Sequence, residues 1–349
     1  LKIQKRLLCV KESSKLEKSV LKFNLNFVLF MKSKLSSKYL PLAGITCAGI
    51  FLFPVLGAQA QNMYVSDWDF PGVIHEYAPG SQNSTAFYSG GLGEPGGIAF
   101  NSMGTLFVGN VYNGVIDEIS PGGTLTTFAS GLNNPNGLAF DGAGDLFVTD
   151  YNANTIYEFA SHNGSLSSTP TVFSGISSPT DLAFDSTGDL FVSSASSGNI
   201  YKFQNNGGTL SSSSTVYASG FVLPFGLAFN GGGDLFVSYD GLNITPTSGG
   251  VTEIMSGGSE RSIASGLYDP NDIAFNNAGV LFITDAESGN ITEVAPGGAT
   301  SSFFVNYHPY GIAFQDVTLP VPEPSSLALF GVGAFVMLWR GRHIWQRQG

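Results

Sequence analysis

Short apolar runs rich in β-branched and aromatic side chains, each closed by a cluster of Gly, Asn, Asp or Ser, recur along residues 61–318. The clearest unit is residues 131–174. It holds Leu138-Ala139-Phe140, Leu146-Phe147-Val148, Thr155-Ile156-Tyr157-Glu158-Phe159 and Thr171-Val172-Phe173-Ser174, with Asp141-Gly142-Ala143-Gly144 between the first two. Runs of this length and makeup, separated by turn residues, predict four antiparallel strands. One such sheet cannot bury both of its faces, so it needs neighbours.

Repetition supplies them. A proline followed two residues later by Gly or Asp, then by Ile or Leu, Ala and Phe, stands at Pro95, Pro135, Pro179, Pro224, Pro270 and Pro309, with spacings of 40, 44, 45, 46 and 39 residues. A period of about 40 to 50 residues with four strands per period predicts β-propeller blades. After Phe314 only one strand of a blade is left, while three precede Gly91: Met63–Asp67, Val73–Tyr77 and Thr85–Ser89. Together they complete one blade. The expectation is an all-β, six-bladed propeller over residues 61–318, closed by its first and last strands in one antiparallel sheet, which leaves no free sheet edge.

Within each repeat the short Ile/Leu-Ala-Phe run suits the innermost strand. Phe107, Phe147, Phe191, Phe236 and Phe282 recur in register in the next strand and read as interblade packing. Between these two strands, Asn101, Asp141, Asp185, Asn230 and Asn276 each precede a Gly by three residues, a spacing that predicts Asx-capped turns. The carboxylates of Asp141 and Asp145 lack the ligand alternation of a calcium loop. Gly-, Ser- and Asn-rich insertions at 161–168, 204–214 and 242–250 are expected to be surface loops.

The chain's ends follow a different pattern. Met31-Lys32-Ser33-Lys34, the apolar run from Leu40 to Leu56 and the small residues Ala58 and Ala60 before Gln61 form a helical secretory signal over residues 31–60, for the Sec translocon. Residues 1–30 read as an over-extended start or a disordered extension. Residues 319–349 place Pro322-Glu323-Pro324 before a 13-residue apolar run, Leu327 to Trp339, and then Arg340 and Arg342. That run is shorter than the roughly 20 residues of a stable membrane span. Both cysteines, Cys9 and Cys47, fall before Gln61, so the repeats contain neither disulfides nor thiolate metal sites. Of the 15 basic residues only Lys202 and Arg261 lie in the repeats, against 23 acidic ones, a net charge near −21. A field of that sign excludes nucleic acid as a partner and favours cations, basic partners or simple solubility.

Two resemblances follow. Pro322-Glu323-Pro324, the apolar run and the basic cluster together resemble the PEP-CTERM sorting signal. This implies export in a Gram-negative bacterium, recognition by an exosortase, a transient inner-membrane stage through the short apolar helix, and delivery to the cell surface or an exopolysaccharide matrix. The repeats resemble NHL repeats and, more broadly, the six-bladed senescence-marker/gluconolactonase propellers, through the Pro-x-Gly/Asp-Ile/Leu-Ala-Phe and Leu-Phe-Val-x-Asp motifs. In the lactonase branch a divalent cation sits at the channel mouth. Carried onto this chain, the resemblance implies Ca2+ or Mg2+ on Glu94, Asn136, Asp181, Asn271 and Asp272, with Asp240 as general base. Glu94 directly precedes Pro95, whereas the family's Glu stands one residue earlier. The same residues also suit a structural role around a hydrated axis.

No paired-histidine metal motif, nucleophile elbow or phosphate loop is present. Phe225, Tyr307, His308 and Tyr310 cluster at the starts of innermost strands, as a ligand platform or as packing. Two functions stand: a monomeric binding or scaffold module for a polysaccharide or surface protein, and a metal-dependent lactone hydrolase.

Overall fold

Each Pro-x-Gly/Asp-Ile/Leu-Ala-Phe run forms the innermost strand of a four-stranded antiparallel sheet, and six such sheets surround one axis in the computed structural model. Residues 61–241 and 248–316 are described. The signal segment with Ala58 and Ala60, and the tail with Pro322, Glu323 and Pro324, lie outside the described residues. Blades 1 to 5 begin at Pro95, Pro135, Pro179, Pro224 and Pro270 and end at Ser130, Ser174, Ser219, Leu267 and Phe304. Blade 6 joins Pro309–Asp316 to Gln61–Asp67, Gly72–Tyr77 and Ser84–Leu92, with Val65 opposite Ile312 and Tyr64 opposite Ala313. The six-bladed architecture and its closure are as the repeat count predicts.

The core lies between blades. Phe107, Phe147, Phe191, Phe236 and Phe282 each meet the Phe that ends the next innermost strand, at Phe140, Phe184, Phe229, Phe275 and Phe314. Tyr64 takes the same place in blade 6, against Phe100. The six pairs have centroids 4.8–5.3 Å apart, five with ring planes 68–80° apart and the sixth at 59°. These are edge-to-face or tilted arrangements that aromatic quadrupoles favour. The Asx turns also form: Asp141 Oδ1 accepts the N–H groups of Ala143 and Asp145, and Asn101, Asp185, Asn230 and Asn276 do the same in their blades.

A belt of hydroxyls ties the blades together near the axis. The residue after each Leu-Phe-Val run accepts the N–H of its own blade's Gly/Asp position and donates to a carbonyl of the next blade. Thr149 links Gly137 to Thr180, Ser193 links Asp181 to Phe225, and Ser238 links Gly226 to Asn271. Thr284 links Asp272 to Tyr310, and Ser66 links Gly311 to Gly96. All five side chains are buried. Blade 1 has Gly109 instead, because a Cβ there would lie 2.5 Å from the Pro135 carbonyl oxygen. Removing a buried hydroxyl with two partners deprives both of them, so Ser238→Ala is expected to lower unfolding free energy by about 1–3 kcal/mol. A denaturant titration giving a loss below about 0.5 kcal/mol would mean the belt contributes little.

Of the insertions expected as loops, residues 161–168 are more ordered, while residues 242–247 of the third lie outside the described residues. Ser161–His162 pairs with Ser165–Leu166, and Leu166 covers the apolar seam between blades 1 and 2. An apolar residue in a polar insertion gives it a place to pack. Leu210 does the same between blades 2 and 3.

Candidate functional site

The starts of the innermost strands build the site. In blades 1 to 5 the pairing of each first strand skips the two residues after Pro, as where Pro135 faces Asp150 but Leu138 faces Val148. This bulge turns those residues toward the axis. Glu94, Asn134, Ser178 and Leu223, each just before its proline, adopt left-handed φ values of 52°, 86°, 47° and 48°. The sharp turn onto the axis is made there.

Asp181 and Asp272, of blades 3 and 5, stand close enough to feel each other's charge. Asp181 accepts the Leu227 N–H of the next blade at 2.8 Å. Asp272 accepts the Ile312 N–H at 2.8 Å and its own Ile273 N–H at 2.7 Å. Each carboxylate thus caps a bulge of the following blade. Enclosure by the ring pushes the Asp272 carboxyl up to about 7, against the pull of its two N–H donors. Burial first, and then the charge of Asp272, raise Asp181 well above the ordinary carboxylate range.

Across from them the axis is plugged. The Asn136 amide and Tyr310 hydroxyl bond each other at 3.0 Å, and Trp68 stacks on the Tyr310 ring at 4.3 Å. Phe225 also lines the remaining void, which at about 20 Å³ has room for one water. Further along the strands a chamber of about 330 Å³ opens, walled by residues such as Leu138, Leu182, Leu227 and Ile273, and Asp181 and Asp272 line it from their other side.

The residues implied for a divalent cation are only partly brought together. Asn136, Asp181, Asn271 and Asp272 line one void. The Asn271 amide, however, is turned to Asp269, and that of Asn136 to Tyr310. Glu94 is absent from the void's lining, and its carbonyl accepts the Val111 N–H. Among the described residues no three His, Cys, Asp or Glu side chains are grouped to hold a metal ion. A Ca2+ ion takes six to eight oxygens, as a general rule. Two carboxylates already capping backbone N–H groups, with neither Asn side chain free and no third acid grouped with them among the described residues, do not fit that need.

Asp240 lies off the axis, where blade 4 meets blade 5, beside Asp285 and Glu287. The four residues of the suggested platform divide. Phe225 and Tyr310 line the void. Tyr307 instead stacks on His75 at 4.0 Å and shares a hydroxyl contact of 2.6 Å with Tyr77. His308 is exposed and paired with Asp69 at 2.6 Å, a bond that raises its pKa. Sequence reasoning missed Trp68, which follows the Leu-Phe-Val-like Met63-Tyr64-Val65 by the same interval as Asp240 follows its run. It also missed Phe70 and Tyr112, 69% and 68% exposed with rings 5.6 Å apart on the same face.

Comparison with known proteins defines the class first. The chain is similar in fold to the structure described as a nidogen/laminin complex, with TM-score 0.61 and 19% identity over 74% of this chain and 99% of that one. A putative 6-phosphogluconolactonase from Bacteroides uniformis aligns with TM-score 0.53 and 16% identity over 72% and 84%. A streptogramin B lyase aligns at 0.51 and 14% over 74% and 88%. At these identities the likeness is one of fold. A search of curated proteins finds no sequence match. Residues 320–342 match the PEP-CTERM protein-sorting motif. The protein is therefore a six-bladed β-propeller carrying a PEP-CTERM signal, which indicates export and cell-surface sorting in a Gram-negative bacterium.

Proposed function

We propose that this chain is a binding or scaffold module of the bacterial surface or extracellular matrix. After Sec export and a transient inner-membrane stage, an exosortase releases a monomeric propeller that presents one loop face to a surface protein or polysaccharide. The observation that carries this reading is the plug of Asn136, Tyr310 and Trp68 above a void with room for one water. A substrate has no route to Asp181 and Asp272 from that face. The loops of the same face expose Phe70, Tyr112 and Tyr268, the side chains a binding surface uses.

The second reading is a Ca2+- or Mg2+-dependent lactone hydrolase. The convergence of Asn136, Asp181 and Asp272 at one level of the axis favours it. Incubating the exported protein with a panel of sugar lactones and each cation separates the two. The expected result is hydrolysis no faster than the blank and no calorimetric cation binding tighter than about millimolar, where extracellular Ca2+ modules begin. Cation-dependent turnover abolished by Asp181→Asn would replace the binding reading with the hydrolase.

A further inference from the structure

The loop face holds a cluster of carboxylates for which the protein supplies no cation. Asp240 follows the second strand of blade 4, Asp269 leads into blade 5, and Asp285 ends the second strand of blade 5, with Glu287 just beyond it. Two of the four have structural work. Asp285 accepts the N–H groups of Tyr268 and Asp269, and Asp269 accepts the Asn271 amide. Glu287 is exposed.

Asp240 is different. It is only 6% exposed, yet among the described residues its carboxylate has no hydrogen-bond or ion-pair partner. Only its backbone is engaged, through the Leu223 carbonyl and the Ser248 hydroxyl. The fold does not demand an acid at this place. The same backbone bond is made in the other blades by Val111, Tyr151, Ala195, Ala286 and Trp68, all uncharged. Burial, followed by the charges of Asp285 and Glu287, disfavours the ionised form of Asp240. The two basic residues of the repeats give no relief, since Lys202 pairs with Asp189 and Arg261 with Glu253. His308, which feels Glu287, is held by Asp69.

We propose that this corner between blades 4 and 5 binds the ammonium or guanidinium head of a basic side chain from a partner polypeptide. The proposal rests on the binding-module reading and names its partner class. Asp240 supplies the acceptor, Asp269 and Glu287 add negative charge around it, and the exposed ring of Tyr268 flanks Asp269 for cation–π contact. A bare metal ion does not suit the corner, because no three acidic groups among the described residues are close enough to share one. A head on a long flexible stem can reach a carboxylate this buried, whereas an amine fixed directly to a sugar ring cannot. The net charge near −21 attracts a basic chain from a distance.

The test uses the exported protein and a fluorescent Lys-Gly-Ser peptide at about 0.15 M salt, with the lysine-acetylated peptide as its uncharged counterpart. The lysine peptide is expected to bind and the acetylated one not. Asp240→Asn should weaken binding at least about tenfold, and Glu260→Gln, which removes the same charge from an exposed strand elsewhere, by less than about twofold. Asp240→Asn should also melt no lower than the parent, so lost binding is not lost folding. Equal weakening by both substitutions, or no binding of the lysine peptide, overturns the site. A glucosamine oligomer that binds at least as tightly, with the same sensitivity to Asp240→Asn, overturns the polypeptide partner. Lactone hydrolysis by the same preparation reports separately on the underlying binding reading.

Discussion

Gly311→Ala is expected to lower the unfolding free energy by about 3 kcal/mol or more, while Gly142→Ala leaves it unchanged or slightly raised. Gly311 sits in the strand that closes the ring, at the bulge of blade 6 facing blade 1. A Cβ there would lie 2.5 Å from the Gly96 carbonyl oxygen, 2.9 Å from the Gly97 Cα and 3.0 Å from the Ser66 hydroxyl. Two of those atoms are backbone and the third belongs to the hydroxyl belt, so relief requires moving blade 1 away from blade 6. Gly97, Gly137 and Gly226 meet the next blade just as closely. The repeat's glycine is therefore an interblade spacer as well as a turn residue. Gly142 has nothing within 4 Å of its Cβ position and no left-handed φ. An alanine there acts mainly by restricting the unfolded chain, a gain of about 0.4–1 kcal/mol. Paired denaturant titrations check both, and equal midpoints would show that the blades are not in contact at Gly311.

The same contacts explain what the sequence made legible. Tyr64 could be placed in the closing blade because three strands precede Gly91 and one is left after Phe314, which together complete a blade. Phe107 and its equivalents read as core because their period matched the repeat, and each meets a partner in the next blade. The hydroxyl belt was equally periodic, but a Ser or Thr after an apolar run also suits an ordinary turn, so its bonds across blades were hidden. The platform failed to assemble for a geometric reason. Tyr307 and His308 sit in the bend before the strand that begins at Pro309, where Asn306 takes a left-handed φ of 43°, and the bend sends the two rings apart. One ring goes inward to His75 and the other outward to Asp69. Asp240 was implied as a general base by resemblance, but it does not line the axial void and lies beside Asp285 and Glu287 instead. No local pattern signals that a buried carboxylate lacks a partner. That is a property of the assembled corner.

Stability is expected to rise, not fall, as the pH is lowered from about 8 to about 5, and Asp272→Asn should flatten that rise. The carboxyl of Asp272 is pushed up to about 7 and that of Asp269 to about 6, in each case mainly by burial, while Asp181 and Asp240 shift in the same direction. A folded-state pKa above the unfolded value means that the native protein binds the proton more tightly. The stabilisation is then fully present below the unfolded carboxylate range, near 4, and is lost as the pH rises through 6 and 7. His308, raised by Asp69, works in the same sense and is lost as the pH climbs through its own elevated pKa. Asp189, lowered chiefly by its bond with Lys202, works the other way and is lost only as the pH falls below the usual carboxylate range. A decline in stability from about pH 5 toward pH 8 follows. Asp272→Asn removes the charge and keeps one oxygen for the Ile312 or Ile273 N–H, so it should exceed the parent in melting temperature at pH 8 and lose the advantage at pH 5. Asp272→Ala leaves both N–H groups without their acceptor and should be less stable at either pH. Melting curves across this range, recorded with a chelator so that no adventitious cation neutralises the pair, decide the matter. A parent protein that loses stability steadily between pH 7 and pH 5 would mean that Asp181 and Asp272 carry their charges without strain, and that the axis is wetter or wider than the plug of Tyr310 and Asn136 allows.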